Sequence, residues 1–212
     1  MFVKELWRYA VKSLAGEQIS VARIDRLGMA GDRRILVRDG SAKVLTSRTH
    51  HRLLGLKGTL DAYGVARISG FAWDSPEALQ LVQQAAEPDA ELFQYDGIER
   101  FDALPLLVAT DGAIEHMGFD CRRLRPNIVV GGVVGLEERT WPGRRLRIGD
   151  AVIEVVRLRG RCVMTTYHPD TLKQDLNVLK SIASQLGGTM ALDCAVASGG
   201  FIRVGDPVAF EL

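Results

Sequence analysis

Short apolar runs rich in Val, Ile and Leu recur along the chain between Gly and Asp turns, the pattern of an antiparallel sheet or barrel. Ile35-Leu36-Val37-Arg38 turns at Asp39-Gly40 into Lys43-Val44-Leu45-Thr46, and Leu56 to Leu60 turns at Asp61-Ala62-Tyr63-Gly64 into Val65 to Ile68; both read as β-hairpins. Further strands are expected at Leu106–Ala109, Ile128–Val130, Arg144–Ile148, Ala151–Arg157, Ala191–Ala197 and Pro207–Phe210. Helical punctuation is sparse. Ser75-Pro76-Glu77 offers a capping hydroxyl, a first-turn proline and an acid at the positive end of a helix running to about Ala86. A second helix is expected from Thr110-Asp111 to Gly118, and a third over about Leu176 to Leu186, stopped by Gly187-Gly188. The fold class is therefore mainly β with a few short helices (α+β). The polar, turn-rich stretch from Glu87 to Asp102 is the expected join between an N-terminal β portion, residues 1–95, and a C-terminal β domain, residues 96–212.

Charge excludes some partners. With 27 basic against 26 acidic side chains the net charge is +1, so no overall field directs the chain to nucleic acid or to anionic membranes. The basic residues are mostly Arg, whose planar fork suits oxyanions such as phosphate. Charges interrupt every apolar stretch of Met1-Phe2-Val3-Lys4-Glu5-Leu6-Trp7-Arg8, so neither a signal-peptide core nor a spanning helix is read there, and a cytoplasmic location is expected. Cys121, Cys162 and Cys194 are odd in number and widely spaced, which argues against a disulfide framework, structural zinc or a ferredoxin-type cluster.

Cys162 stands apart from the other two by its setting, Arg159-Gly160-Arg161-Cys162-Val163-Met164-Thr165-Thr166. The flanking arginines favour a thiolate, and Gly160 permits a backbone angle that would turn the sulfur outward. Cys194, inside an apolar strand, and Cys121 read as small buried hydrophobes. Thr165 and Thr166 would bond a ligand beside the sulfur or simply pair with backbone. The four histidines form no helical i,i+4 pair and read as surface or supporting residues.

Several basic segments have both an ordinary reading as solvated surface and a binding one. Lys12-Ser13 lies at the end of an expected apolar strand in Tyr9 to Leu14 and offers an ammonium and a hydroxyl to a phosphate. In Gly28-Met29-Ala30-Gly31-Asp32-Arg33-Arg34 two glycines bracket a turn, and strand alternation would send Arg33 and Arg34 to opposite faces, so at most one serves a shared site. Thr46 and Arg48 share a face and would present a hydroxyl and a guanidinium to one anion. In Cys121-Arg122-Arg123-Leu124-Arg125-Pro126-Asn127, proline fixes the backbone, and extended geometry would aim Arg125 and Asn127 together.

Read in order, these pieces resemble the MOSC proteins, named after the C-terminal domain of molybdenum-cofactor sulfurases. The matching segments are Tyr9-Ala10-Val11-Lys12-Ser13, Gly31-Asp32-Arg33-Arg34, Leu45-Thr46-Ser47-Arg48, Leu124-Arg125-Pro126-Asn127-Ile128, Arg161-Cys162-Val163-Met164-Thr165-Thr166 with Pro169-Asp170-Thr171, and Ile202-Arg203-Val204-Gly205-Asp206-Pro207-Val208. The resemblance covers nearly the whole chain and implies a MOSC-type β-barrel domain packed against an N-terminal β portion. Its best-understood members, the amidoxime-reducing components, hold a molybdenum cofactor (molybdopterin) and reduce N-hydroxylated compounds. It implies Cys162 as catalytic residue and molybdenum ligand, and Lys12, Ser13, Arg33, Arg48, Thr110, Arg125, Asn127 and Arg161 as cofactor-binding residues. A soft thiolate suits a soft, redox-active metal that already carries dithiolene sulfurs. Relatives often carry Pro or Ser where this chain has Gly160.

The implied partners are a small N-hydroxylated or N-oxide substrate and a separate electron-donor protein carrying flavin, haem or an iron-sulfur centre, because no clustered cysteines for a ferredoxin module are present. Two alternatives stay open. One is a sulfurtransferase carrying a Cys162 persulfide loaded by a cysteine desulfurase; the other is a non-catalytic carrier of the cofactor.

Overall fold

The computed structural model describes residues 1–211 of the chain. Its largest element is an eight-stranded sheet in the order Val208–Phe210, Arg145–Ile148, Ala151–Gly160, Thr189–Ser198, Leu106–Thr110, Ile128–Gly131, Phe2–Arg8, Glu17–Ile19. Every neighbouring pair is antiparallel except Leu106–Thr110 with Ile128–Gly131. The sheet curls so that the start of Phe2–Arg8, next to one edge, reaches the chain at the opposite edge: Phe2 bridges Pro207, Val3 N donates to Asp206 O at 2.9 Å, and Val208 N donates to Met1 O at 3.0 Å. Inward-facing Val3, Leu6, Val108, Leu146, Ile153 and Leu192 are fully or almost fully buried inside the curl. A core side chain of this kind contributes roughly 1.5–3 kcal/mol, so the curl needs no cross-link to be stable.

Both predicted hairpins form, as Ile35–Arg38 with Val44–Leu45 and Gly58–Leu60 with Ala66–Ile68. They surround a second core of Val11, Leu14, Val37, Leu53 and Ile68. The described residues form three α-helices, α1 (Pro76–Ala85), α2 (Asp111–Met117) and α3 (Leu176–Leu186). Each has a side-chain cap, from Ser75, Thr110 and Asp175, and α2 and α3 stop at Gly118 and Gly187 in the left-handed conformation. Val178, Ile182 and Leu186, one turn apart along α3, pack on Ala109, Leu124 and Met190 in a third core.

Two expectations are revised. The stretch read as a polar join carries a strand, Glu91–Gln94, that pairs with Ile35–Arg38, and a buried arginine, Arg100. Only four residues long and with polar ends, that strand is defined by its partner more than by its own pattern. Tyr9 to Leu14 does not finish a strand. It forms a turn between two bridges, Val11 to Ile35 and Ala15 to Lys57. The Phe2–Arg8 strand ahead of it is interrupted by Lys4 and Glu5 because only one of its faces is covered.

Candidate functional site

Beside the third core, at Leu107 and Leu124, the chain leaves a cleft of about 160 Å³ bordered by Cys162. Lys12 and Ser13 reach it from the turn after the first strand. That turn is fixed by Lys12 N donating to Ile35 O at 2.8 Å and Ala15 N donating to Leu56 O at 2.9 Å. Arg33 follows a turn that closes at Gly31, whose φ of +81° and close approach to Leu60 leave no room for a side chain. Buried Asp32 fixes the adjoining backbone, its Oδ1 accepting from Tyr9 N at 2.8 Å while its other oxygen pairs with Arg33. Arg125 and Asn127 enter just before Ile128–Gly131, and Arg161 and Cys162 just after Ala151–Gly160.

Three lining residues, Ser13, Arg33 and Arg125, have positive φ (71°, 53° and 58°) although none is glycine. Each costs on the order of 1 kcal/mol or more of backbone strain, held by the surrounding bonds. Their gathering around one cleft points to a binding role. It also corrects two geometric expectations. Arg33 faces the cleft while Arg34 pairs outside with Asp96, but the separation comes from the left-handed turn, since the strand begins only at Ile35. Arg125 and Asn127 do border one cleft, yet not through an extended backbone.

Gly160 does not turn the sulfur either. It ends its strand opposite Thr189, is absent from the positive-φ positions, and a Cβ there would meet nothing within 4 Å. Cys162 is extended (φ −134°, ψ 179°) and precedes the short turn Val163–Thr166, whose bonds fix it: Thr165 N and Oγ1 both donate to Cys162 O, at 3.1 and 2.8 Å. Thr166 Oγ1 likewise donates to Val163 O at 2.6 Å, so both hydroxyls serve the backbone. Cys162 is half-buried. Cys194 lies in the main core, and Cys121 Sγ contacts Glu5 Oε2 at 3.8 Å; burial raises both thiols, Cys121 to about 12 with Glu5 adding to the effect.

The cleft is strongly basic. Lys12, Arg33, Arg48, Arg100, Arg123, Arg125, Arg159 and Arg161 line it against Asp102 and Asp193. Most of these cations have partners. Lys12 Nζ lies 2.9 Å from Asp102 Oδ1 and Arg48 Nη2 lies 2.7 Å from Asp102 Oδ2. Arg159 Nη1 donates to Asp193 Oδ1 at 3.0 Å, and Arg123 Nη1 to Thr165 O at 3.2 Å. Arg100 donates to four carbonyls, those of Leu27, Asp32, Asp96 and Gly97.

Arg125 and Arg161 differ. Buried Arg125 Nη2 and Arg161 Nε have no hydrogen-bond partner among the described residues, and neither guanidinium faces a carboxylate within bridging distance. Arg125 instead lies 4.3 Å over the ring of Tyr9, whose other near cation is Arg33 at 4.9 Å. Arg161 Nη2 reaches only Leu124 O, at 2.8 Å. Burial pulls both pKa values down to about 10, with the charges of Arg33 and Arg159 respectively contributing. Both stay cationic at neutral pH. A desolvated charge with unmet N–H groups is costly, and an anion placed there would offset the cost.

Of the residues singled out in the sequence, Lys12, Ser13, Arg33, Arg48, Arg125, Asn127, Arg161 and Cys162 border this cleft. Thr110 does not. Its Oγ1 accepts from Ala113 N at 3.3 Å, capping α2, and donates to Glu138 Oε2 at 3.2 Å. Asn127 is largely engaged in architecture, with Oδ1 accepting from Leu107 N at 3.2 Å and Nδ2 donating to Trp7 O at 3.4 Å. Sequence reasoning missed Arg100, Asp102 and Asp193. The first two fall in the presumed join, and nothing in their spacing signals a return to the site. A neighbouring cleft of about 540 Å³, walled by Trp7, Tyr9 and Tyr167, shares Arg123, Arg125 and Met164 with the basic one.

Comparison with known proteins fits this architecture. Residues 1–102 match the family model described as the MOSC N-terminal beta barrel domain, and residues 107–209 match the MOSC domain. The chain belongs to the MOSC-domain family. Human mitochondrial amidoxime reducing component 2 is 34% identical to this MOSC protein over 126 residues, which are 50% of the chain and 37% of that relative. The match thus spans little more than a third of that relative's length. Human mitochondrial amidoxime-reducing component 1 is 26% identical over 277 aligned positions, covering 97% of this chain and 82% of the relative. Among solved structures, the YuaD protein from Bacillus subtilis superposes with a TM-score of 0.53 at 14% identity, covering 98% of this chain and 93% of its own, a likeness of fold. No helix among the described residues is long and apolar enough to cross a membrane.

Proposed function

We propose that the basic cleft holds a molybdenum cofactor, with Cys162 as the protein ligand to the metal, and that the loaded protein reduces N-hydroxylated or N-oxide compounds. The observation that carries this reading is that Arg125 Nη2 and Arg161 Nε are buried N–H groups without a partner among the described residues, in a cleft that also holds the half-buried thiol of Cys162. The phosphate and dithiolene of molybdopterin are anionic, and such a site suits them. The donor set agrees. Among the described residues no three His, Cys, Asp or Glu side chains gather to cage a metal, so a metal at Cys162 must bring its other donors with it.

When bound, the cofactor would supply the two-electron chemistry that removes oxygen from an N–OH or N-oxide group. The chain's own residues do the rest. Lys12, Ser13 and Arg33, fixed in strained turns, would hold the phosphate, while Arg125 and Arg161 would neutralise the remaining charge. Arg48 also lines the cleft and is more exposed than Lys12 and Arg33, at 45% of its side chain against 10% and 16%. Asn127 would act indirectly, tying the backbone at Trp7 to that at Leu107. A separate protein carrying flavin, haem or an iron-sulfur centre would deliver the electrons. The division at residues 95/96 into an N-terminal β portion and a MOSC domain is part of the same reading, with the cleft drawing residues from both parts.

The test is to purify the protein from a host that makes the cofactor, measure bound molybdenum and pterin, and assay amidoxime reduction with a chemical electron donor. We expect both groups to be present and Cys162→Ala to abolish turnover. Undiminished activity in a fully metallated Cys162→Ala protein would contradict the assignment. A second reading rests on the half-buried, free thiol of Cys162, which also suits a sulfur carrier. Mass spectrometry after incubation with a cysteine desulfurase distinguishes it, because a stable added sulfur on Cys162 in protein lacking metal and pterin favours the carrier.

A further inference from the structure

Asp102 is out of place in a cleft built for an anion. It is one of two carboxylates among the lining cations, and it sits on two of them, Lys12, which the proposed reading assigns to the ligand's phosphate, and Arg48 beside it: Lys12 Nζ at 2.9 Å from Oδ1 and Arg48 Nη2 at 2.7 Å from Oδ2. The other carboxylate, Asp193, bonds Arg157 and Arg159 and leaves Lys12 alone. Asp102 is also held firmly. The preceding residues are pinned by the four carbonyl bonds of Arg100, and Arg100 O itself accepts from Lys12 Nζ at 2.7 Å. Phe101 packs beneath the Arg100 guanidinium, 4.4 Å from its ring centre. The side chains of Lys12 and Arg48 are thus long and mobile in principle, whereas the backbone bearing Asp102 is anchored.

We infer that Asp102 is an internal counter-ion: it holds Lys12 and Arg48 in place while the cleft has no ligand, and competes with the ligand's anionic group for them. This rests on the reading of the cleft as an anion site and adds a regulatory element to it. Lys12 is almost buried, at 10% side-chain exposure, and an ammonium there without a partner would fold poorly. Asp102 removes that difficulty and in exchange weakens the grip on an incoming anion. The shared ligand chemistry is a phosphate monoester, and inorganic phosphate is the probe that isolates it.

The experiment is calorimetric titration of inorganic phosphate into cofactor-free protein at fixed ionic strength and neutral pH, for wild type and Asp102→Asn. The expected result is about tenfold tighter phosphate binding by the variant, the scale of one partly buried ion pair removed from competition. Its melting temperature without phosphate should fall, and added phosphate should restore more of it than in wild type. The gain in affinity should vanish when Lys12→Gln and Arg48→Gln are added. Equal or weaker binding by Asp102→Asn overturns the inference, as does a gain that survives loss of both cations. No phosphate binding by either folded protein overturns the anion-site reading and this inference together. Should Asp102→Asn fail to fold, a crystal structure of the wild type with phosphate decides: Lys12 or Arg48 moved from Asp102 onto phosphate supports competition, and both pairs intact beside bound phosphate overturn it.

Discussion

The two walls of the cleft use the same side chains to opposite ends. On the wall from the N-terminal half every cation has a partner: Lys12 and Arg48 have Asp102, Arg33 has Asp32, and Arg100 has four carbonyls. On the wall from the C-terminal half Arg123 and Arg159 are paired as well, with Thr165 O and Asp193, but Arg125 and Arg161 keep buried N–H groups without a partner among the described residues. A buried guanidinium with its bonds met is architecture, because it ties several chain segments to one planar group. One with its bonds unmet is binding capacity held in reserve, maintained by the fold at a cost in stability.

That contrast can be broken by substitution. Arg100→Met should lower stability by about 3–5 kcal/mol, measured by urea unfolding, since it removes the side-chain donor from four carbonyls, of which, among the described residues, only Gly97 O keeps another partner, the backbone N of residue 100. A small effect would show that the first wall is not the architectural one. Arg125→Met combined with Arg161→Met should act in reverse. Cofactor retention should fall by about a hundredfold, while the cofactor-free protein stays as stable or gains roughly 1–4 kcal/mol. If the double variant is instead strongly destabilised, those guanidiniums are structural after all.

Smaller effects sharpen the picture. Thr110→Val removes the cap of α2 and should cost about 1 kcal/mol while leaving molybdenum content unchanged, because the structure seats Thr110 outside the cleft. Reduced metal content at normal stability would return Thr110 to the site. The carboxyl of Asp102 is raised by burial, but the hydrogen bond from Lys12 and the charges of Lys12 and Arg48 outweigh this and hold it below the usual range. With its folded value depressed, its contribution is present above the ordinary carboxylate pKa and fades as pH falls through the folded value. Asp102→Asn should therefore flatten the fall in melting temperature below about pH 4. An unchanged acid slope would mean that the pairs with Lys12 and Arg48 contribute nothing to stability.

The hairpins, the long strands Ala151–Gly160 and Thr189–Ser198, and α1 to α3 were legible because each carries its own punctuation, whereas the seven-residue strand Phe2–Arg8 was not read. Asp39-Gly40 and Asp61 to Gly64 mark turns, while Ser75-Pro76, Gly118 and Gly187 mark helix ends. Short strands such as Glu91–Gln94 and Gly28–Met29 were not, since they exist only through their partners. At the site, most of the residues named from the sequence line one cleft, but the backbone geometry that brings them there was misread. The sequence pattern placed Lys12 at a strand end, turned Cys162 on Gly160 and aimed Arg125 by extended backbone; the structure uses left-handed turns at Ser13, Arg33 and Arg125 instead. Non-glycine residues give no sequence sign of such a conformation, because tertiary bonds impose it. Arg100 and Asp102 were invisible for a related reason, being polar residues in a polar stretch that becomes interior only when the chain folds back.

The central claim is that Cys162 is the protein's donor to molybdenum in a cleft otherwise devoted to the cofactor's anionic groups. X-ray absorption at the molybdenum edge tests it most directly, on loaded wild type and loaded Cys162→Ala. The account predicts one fewer sulfur neighbour of molybdenum in the variant, with pterin and phosphate still bound; identical sulfur coordination in the two proteins would contradict it.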